Sequence, residues 1–160
     1  MRRLATVGVY GWTLETFLEA LHAAGVTKVV DVRQRRGVRG SEYAWANAKR
    51  LEAALAAAHV DYRHRLDLAP TTALRELQYR EDDRVGAGKR SRRELAPAYA
   101  EGYTREILDR ADLDSLVAEL PADGAAALLC VERDPEACHR SLIADRLAAA
   151  HGVAVTHLRP

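Results

Sequence analysis

The sequence has few of the residues that hold small proteins together covalently or place them in membranes. Its 160 residues include two cysteines, Cys130 and Cys138, which are too few for a disulfide framework and predict a reducing, cytoplasmic setting. The apolar run after Met1 breaks at Gly8 and Gly11, so it is too short for a signal peptide or a membrane-spanning helix. A chain of this length can bury a core as one domain without disulfides or metal.

A strong net charge is also missing. The 24 Lys and Arg residues almost balance the 23 Asp and Glu residues, so no overall basic field demands a nucleic-acid partner. The positive charge is concentrated in two predicted loops, and Tyr43 and Trp45 follow the first of them. These loops could hold a nucleic-acid backbone and stack its bases, or they could simply be solvated. Their basic residues are Arg35, Arg36 and Arg39 in the first loop, and Lys89, Arg90, Arg92 and Arg93 in the second.

Several well-known ligand motifs are absent. There is no G-x-G-x-x-G dinucleotide fingerprint, no Walker sequence and no C-x-x-C pair. Neither cysteine is followed six residues later by the arginine that a cysteine-phosphatase or rhodanese-like loop needs. A zinc site from Cys130, Glu132, Cys138 and His139 is conceivable in composition but lacks a standard spacing. We therefore expect no metal and no cofactor.

The pattern of apolar residues predicts alternating strands and helices. Leu14, Phe17, Leu18 and Leu21 follow Thr13 at the spacing of a buried helical stripe, and Thr13 is a good N-cap. Such alternation predicts one α/β domain over residues 1–160, a three-layer Rossmann-like fold with a mostly parallel sheet in the order 3-2-1-4-5. The charged stretch 81–93 is predicted to be an exposed loop. The predicted strands cover residues 4–9, 27–32, 60–64, 125–131 and 153–158.

The stretch LLCVERDPEACHRSLIADRL, residues 128–147, is typical of a buried strand, a polar turn and a helix. Asp134 is a good helix N-cap and Pro135 suits the first helical position. The first turns of the predicted helix therefore carry Cys138, His139 and Arg140. A helix N-terminus can bind anions and lower the pKa of a thiol, although Cys138 and His139 could also be plain core residues.

In a parallel sheet, the carboxyl ends of strands one, two and four should open onto one crevice. Asp31 and Glu132 could act there as acid and base, and Arg33 and Arg140 could bind a phosphate beside the glycines of the first loop. The alternative is a set of salt bridges that only order the rim. The residues expected at this crevice are Gly8, Tyr10 and Gly11; Asp31 and Arg33; and Glu132, Cys138, His139 and Arg140.

Several motifs together resemble the family of domain of unknown function 488. The most specific is Cys130-x-Glu132 followed by Cys138-His139-Arg140-Ser141 and Ile143-Ala144; Thr6-Val7-Gly8 and Asp31-Val32-Arg33 accompany it. The resemblance implies a compact α/β domain of bacterial and archaeal type. The chain departs from the family pattern at Val9 and Tyr10, where a histidine and a small polar residue are usual, and it lacks the proline expected after Asp-Val-Arg. If that histidine is catalytic in other members, the activity here is lost or altered.

These observations lead to two functional hypotheses. The first is a phosphate-bearing small molecule or nucleotide bound in the crevice by an enzyme that acts on a nucleotide or nucleic-acid component. The second is a non-catalytic ligand-binding or protein-interaction module with the same rim. Neither hypothesis involves a membrane, and the chain is expected to be a monomer or a homodimer.

Overall fold

The computed structural model describes residues 1–88 and 90–160, so Lys89 of the second basic loop lies outside the described residues. Among the residues described, no helix combines the length and the apolarity needed to cross a membrane. The strands are β1 (Arg3–Val7), β2 (Val26–Asp31), β3 (Asp61–His64), β4 (Ala125–Leu129) and β5 (Ala154–His157). The helices are α1 (Leu14–Ala23), α2 (Ala48–Ala57), α3 (Thr72–Val85), α4 (Pro97–Glu106), α5 (Leu113–Glu119) and α6 (His139–His151).

The five strands form one parallel sheet, which confirms the predicted α/β class. The predicted order 3-2-1-4-5 is wrong in one exchange, because the observed order is β3-β2-β4-β1-β5. β4 lies in the centre, paired with β2 on one side and β1 on the other. Its sequence AAALL is buried at every position, whereas β1 begins at the exposed Arg3. A central strand must be apolar on both faces, and β4 meets that requirement better than β1.

Two apolar cores cover the two faces of the sheet. Phe17 and Leu21 of α1 and Leu51 and Leu55 of α2 pack on one face with Val7 and other strand residues. The predicted stripe and cap of α1 are confirmed, since the Thr13 side chain accepts a hydrogen bond from the Thr16 amide. Helices α3 to α6 pack on the opposite face through residues that include Leu74, Tyr103, Leu116 and Leu147.

The arrangement of connections opens a crevice beside β4. The chain leaves β2 toward α2 on one face of the sheet and leaves β4 toward α6 on the other face. When the segments after two neighbouring parallel strands diverge in this way, a crevice forms between their carboxyl ends. The crevice therefore lies between β2 and β4.

Helix α6 begins later than predicted. Pro135–Ala137 forms a separate 3-10 turn after Asp134, and the Asp134 side chain makes no capping bond. Cys138 then adopts an extended backbone (φ −139°, ψ 145°), which breaks the helical path, and α6 starts at His139. Cys138 is thus the N-cap residue of α6 rather than a member of its first turn.

The prediction that the whole stretch 81–93 is an exposed loop is wrong in part. Helix α3 continues to Val85, where Gly86 ends it in the left-handed conformation. Asp82 and Arg92 are both buried, because they pair with each other at 2.7 Å. Pairing offsets the free-energy cost of burying either charge alone. The composition of the stretch does not show that the two residues pair.

We predict that Gly8→Ala strongly destabilises the fold, because a Cβ at this position would overlap the Glu132 carbonyl oxygen. The obstacle is backbone and cannot rotate away, so the cost should approach the upper end of the overpacking range of about 1–3 kcal/mol. Chemical denaturation measures this loss. Gly37→Ala is the matched control, because nothing lies within 4 Å of its Cβ position. An unchanged midpoint for Gly8→Ala would contradict the close approach of the two loops.

Candidate functional site

A small pocket that is open to solvent occupies the crevice between β2 and β4. Its residues come from the ends of both strands, from α3 and α4, and from the segment before α4. We call it the crevice pocket. Its lining consists of Arg33, Gln34, Arg35, Pro70, Arg75, Gln78, Tyr79, Arg92, Tyr99, Cys130, Val131, Glu132 and His139.

The floor of the crevice pocket carries a cluster of two thiols and one imidazole. Nδ1 of His139 lies 3.8 Å from the sulfur of Cys130 and 3.8 Å from the sulfur of Cys138. All three atoms lie within 4.8 Å of one another, and all three residues are buried. The Cys130 thiol also donates to Glu132 Oε2 at 3.4 Å. The end of β4 and the start of α6 thus bring four chemically active side chains together.

The orientation of the His139 ring is fixed by the backbone of β2. Nε2 donates to the carbonyl of Val32 at 2.9 Å, so in the neutral ring the proton is on Nε2 and the Nδ1 lone pair faces the thiols. Burial disfavours the imidazolium, but the negative charge of Cys138 and the bond to Val32 outweigh it and raise the pKa of His139. Both ring nitrogens therefore have defined partners.

The two thiols have opposite acid–base character. Burial opposes ionisation of both. For Cys138 it is outweighed by the neighbouring Cys130 thiol and by the positive charges of His139 and Arg140, which hold the pKa of Cys138 well below its ordinary value. Burial and the negative charges of Cys138 and Glu132 raise the pKa of Cys130 well above its ordinary value. The pair thus favours one thiolate, on Cys138, against the imidazole.

Glu132 belongs to a buried network that includes Arg92. The Arg92 guanidinium lies 3.3 Å from Glu132 Oε1, donates to the Ala137 carbonyl at 3.1 Å and pairs with Asp82. Gln78, one turn before Asp82 in α3, donates to the Asp82 carboxylate at 2.9 Å. The Arg92 guanidinium thus lies between two carboxylates and fixes the position of both side chains. Glu132 is therefore presented to the pocket in a fixed position beside Cys130.

The mouth of the pocket is positively charged. Arg35 is exposed at the end of the β2 segment, and Arg75 faces it from α3. Arg75 donates to the Gln34 side-chain oxygen and to the Tyr79 hydroxyl, both at 2.9 Å. Neither arginine has a carboxylate within ion-pair distance in the part of the chain that the structure describes. Two guanidinium groups thus remain available to an anion.

A second, larger and solvent-open space adjoins the mouth and shares Arg35, Arg75, Tyr79 and Val131 with the crevice pocket. We call it the outer pocket. On its far side Arg90 lies over the ring of Tyr10 at 5.0 Å and over the ring of Tyr43 at 5.4 Å. The two rings are tilted against each other at 5.2 Å. Tyr10, predicted at the crevice, therefore lines the outer pocket.

Asp31 lies away from both pockets. Its carboxylate accepts two bonds from the Arg33 guanidinium, at 2.9 and 2.8 Å, and one from the Tyr62 hydroxyl at 2.6 Å. Arg33 lines the crevice pocket, yet its remaining Nη donates to the Ala46 carbonyl at 2.9 Å. Both side chains are fully buried. They form an ion pair that shapes the end of β2.

Arg140 and the glycines of the first loop also have structural roles, because they contact or shape the backbone. Arg140 is completely buried and donates to the carbonyls of Glu132 and Arg133 at 2.7 and 3.1 Å. Gly8 allows the loop to pass against the Glu132 carbonyl, and Gly11 has a positive φ of 93°. Among the described residues that line the two pockets, none of these three occurs. Of the residues predicted at the crevice, Glu132 and His139 line the pocket, whereas Asp31, Gly8, Gly11 and Arg140 do not.

The two basic loops meet at the outer pocket. Arg90 pairs with Glu42 at 3.4 Å and donates to the Arg39 carbonyl at 3.0 Å. Two basic residues of these loops have carboxylate partners, since Arg92 is buried with two carboxylates and Arg36 pairs with Glu52 at 3.1 Å. Exposed members of the set are Arg35, Arg39, Arg90 and Arg93.

Sequence reasoning missed several residues of the site. The sequence did not place Cys130 among the crevice residues, although its position just after β4 could have indicated it. Arg75, Gln78 and Tyr79 lie on the part of the chain with the weakest helical pattern, so no signal pointed to them. They reach the pocket because α3 packs against α4.

We predict that Asp31→Asn lowers stability by about 3–5 kcal/mol, because it leaves the Arg33 guanidinium buried without its counter-charge. The control is Asp109→Asn at the half-exposed pair with Arg146, where the loss should stay below about 1 kcal/mol. Urea denaturation of the three proteins tests the difference. If Asp31→Asn is as stable as the parent, the ion pair is not the structural element described above.

No curated protein and no solved structure is significantly similar to this chain. A family profile described as domain of unknown function DUF488 matches residues 13–147. The match covers β2 to β4, α1 to α5 and most of α6, and it includes Cys130, Glu132, Cys138 and His139. The chain belongs to the DUF488 family.

Proposed function

We propose that this protein is an enzyme that binds a phosphate-bearing small molecule of nucleotide size at the mouth of the crevice pocket and transforms it above Cys130, Glu132 and His139. The observation that carries the proposal is the pair Arg35 and Arg75, two guanidinium groups that line both pockets and have no carboxylate partner within ion-pair distance in the described chain. The other arginines of the crevice pocket are neutralised by buried carboxylates.

The charge at the mouth supports an anionic ligand. Each guanidinium can donate two parallel hydrogen bonds to phosphate oxygens, and a charge-assisted bond contributes about 1.5–3 kcal/mol. Arg75 is held in place by Gln34 and Tyr79, so little side-chain entropy is lost when it binds. A neutral ligand would leave both charges without a partner.

The size of the adjoining space supports a nucleotide rather than free phosphate. The outer pocket continues from the mouth and offers the Tyr10 and Tyr79 side chains together with Arg90. Aromatic rings and guanidinium planes are common stacking surfaces for bases. A phosphate between Arg35 and Arg75 would thus leave room for a nucleoside beside these side chains.

The side chains at the floor of the crevice pocket support the proposal that the protein is an enzyme. Glu132 lies next to Cys130 and 3.3 Å from the Arg92 guanidinium, and a carboxylate held in this way is suited to accept a proton from an attacking water. The competing hypothesis of a non-catalytic module uses the same mouth without turnover. The proposal keeps the expected reducing, cytoplasmic setting, because Cys130 and Cys138 are both free thiols.

We predict that nucleotides raise the melting temperature of the protein. A ligand at about a hundred times its dissociation constant adds roughly 2.7 kcal/mol, which for this chain length corresponds to roughly 5 to 10 °C. The panel comprises nucleoside mono-, di- and triphosphates, inorganic phosphate, the parent nucleosides and a short single-stranded oligonucleotide. Inorganic phosphate shows how much the phosphate group alone raises the melting temperature, and the nucleosides show how much the base and sugar raise it.

Arg35→Ala and Arg75→Ala should each weaken the binding of the best nucleotide by about 10- to 100-fold in calorimetric titration. Arg80→Ala is the matched control, because Arg80 is exposed on the same helix as Arg75 and lines neither pocket. The proposal fails if no compound on the panel binds, or if binding is equally strong in both pocket variants. Selective binding of the oligonucleotide would instead favour a nucleic-acid partner.

Glu132→Gln separates the enzyme from the module. With phosphate and base release assayed for each compound that binds, the variant should lose about 100-fold or more of the turnover. Its ligand affinity should change little, because the mouth arginines are untouched. Binding without detectable turnover by the parent protein on any bound compound would support the module.

A further inference from the structure

We propose that Cys130, Cys138 and His139 form a binding site for one thiolate-preferring divalent cation of the zinc class. The proposal concerns the floor of the crevice pocket and does not depend on what binds at its mouth. It differs from our expectation from the sequence, where the spacing of these residues gave no standard zinc motif. The fold supplies the proximity that the spacing does not indicate.

The distances between the donor atoms suit tetrahedral coordination. With metal–sulfur bonds of about 2.3 Å and metal–nitrogen bonds of about 2.0 Å, tetrahedral angles place sulfur and nitrogen about 3.6 Å apart and two sulfurs about 3.8 Å apart. The two sulfur–Nδ1 distances are both 3.8 Å, and all three atoms lie within 4.8 Å of one another. The two sulfur–nitrogen distances are thus close to the tetrahedral value.

The imidazole is held in the way that metal-binding histidines are held. His139 Nε2 donates to the Val32 carbonyl at 2.9 Å, which leaves the lone pair of Nδ1 directed at the two sulfurs. Donation of the second ring nitrogen to a carbonyl or carboxylate fixes the tautomer and is a regular outer-shell feature of zinc sites. A histidine that merely filled the core would not require its free lone pair to face two thiols.

The elements that carry the donors are rigid. Cys130 follows the central strand, Cys138 caps α6, and His139 is the first residue of that helix. Cys138 is extended, and its carbonyl accepts the Ser141 hydroxyl at 2.8 Å, which ties the residue to the helix. A site on such elements is preorganised, so the cation would meet little conformational cost. Soft sulfur ligands with one imidazole favour zinc over magnesium or calcium.

The fourth coordination position would face the crevice pocket. Cys130, Glu132 and His139 line that pocket, whereas Cys138 lies behind them. Three protein ligands with one open position are typical of catalytic zinc sites, and structural sites have four protein ligands. Glu132, 3.4 Å from the Cys130 sulfur, is the carboxylate next to the open position. Water bound there would lie between the cation and Glu132.

Cobalt(II) provides a direct test, because it replaces zinc and reports its ligands by absorption. The full-length protein is treated with chelator, kept reduced, and titrated with cobalt(II). We expect intense tetrahedral d–d bands and a thiolate-to-cobalt charge-transfer band that saturate at one equivalent, and their loss when one equivalent of zinc is added. Since the chain has two cysteines, the charge-transfer band reports on Cys130 and Cys138 alone.

Zinc affinity is then measured by competition with a chromophoric chelator. Cys138→Ser and His139→Asn should each weaken it by more than the roughly 10–100-fold that loss of an outer-shell partner costs. Arg35→Ala and Arg75→Ala should leave it unchanged, so a failed metal site and a failed anion site give different results. Weak octahedral cobalt bands without charge transfer in the parent protein would overturn the proposal. So would a parent zinc affinity equal to that of Cys138→Ser.

Discussion

The central position of β4 determines where this protein can hold a ligand. β4 is paired on both edges and buried at all five positions, so its polar residues can appear only after Leu129, at the carboxyl edge of the sheet. The Val131 carbonyl accepts the amides of Val9 and Tyr10 at 3.0 and 3.1 Å, and Gly8 fits against the Glu132 carbonyl. The β1 loop therefore closes one side of this edge. The side toward β2 stays open, which is why the crevice pocket lies there.

Hydrogen bonds orient the reactive side chains on this open side. The bond from His139 to Val32 joins α6 to the end of β2 and directs Nδ1 at the sulfurs of Cys130 and Cys138. Arginines in the same region have two roles. Those with buried carboxylate or carbonyl partners, Arg33, Arg92 and Arg140, hold the backbone and Glu132 in place. Those at the mouth, Arg35 and Arg75, keep their charge available to a ligand.

The sequence predicted the fold class and the existence of β4 correctly because both depend on local apolar patterns, although the strand predicted over 125–131 ends at Leu129. The exchange of β1 and β4 in the sheet order could not be read from those patterns, since both strands are short and apolar. Asp31 and Arg140 were expected at the crevice because charged residues near strand ends usually face solvent. Their burial depends on long-range partners such as Tyr62 and the Glu132 carbonyl. For the same reason the sequence did not reveal that Asp82 and Arg92 are buried as a pair within a stretch that was expected to be exposed.

The location of the ligand is the central claim, and crystallography with tungstate tests it most directly. Tungstate replaces phosphate, and its anomalous scattering identifies it without ambiguity. The anion should lie between the guanidinium groups of Arg35 and Arg75, at the boundary of the two pockets. A tungstate bound instead beside Gly8 and Gly11, or at Arg140 after displacement of its carbonyl partners, would contradict the assignment and restore the crevice position expected from the sequence.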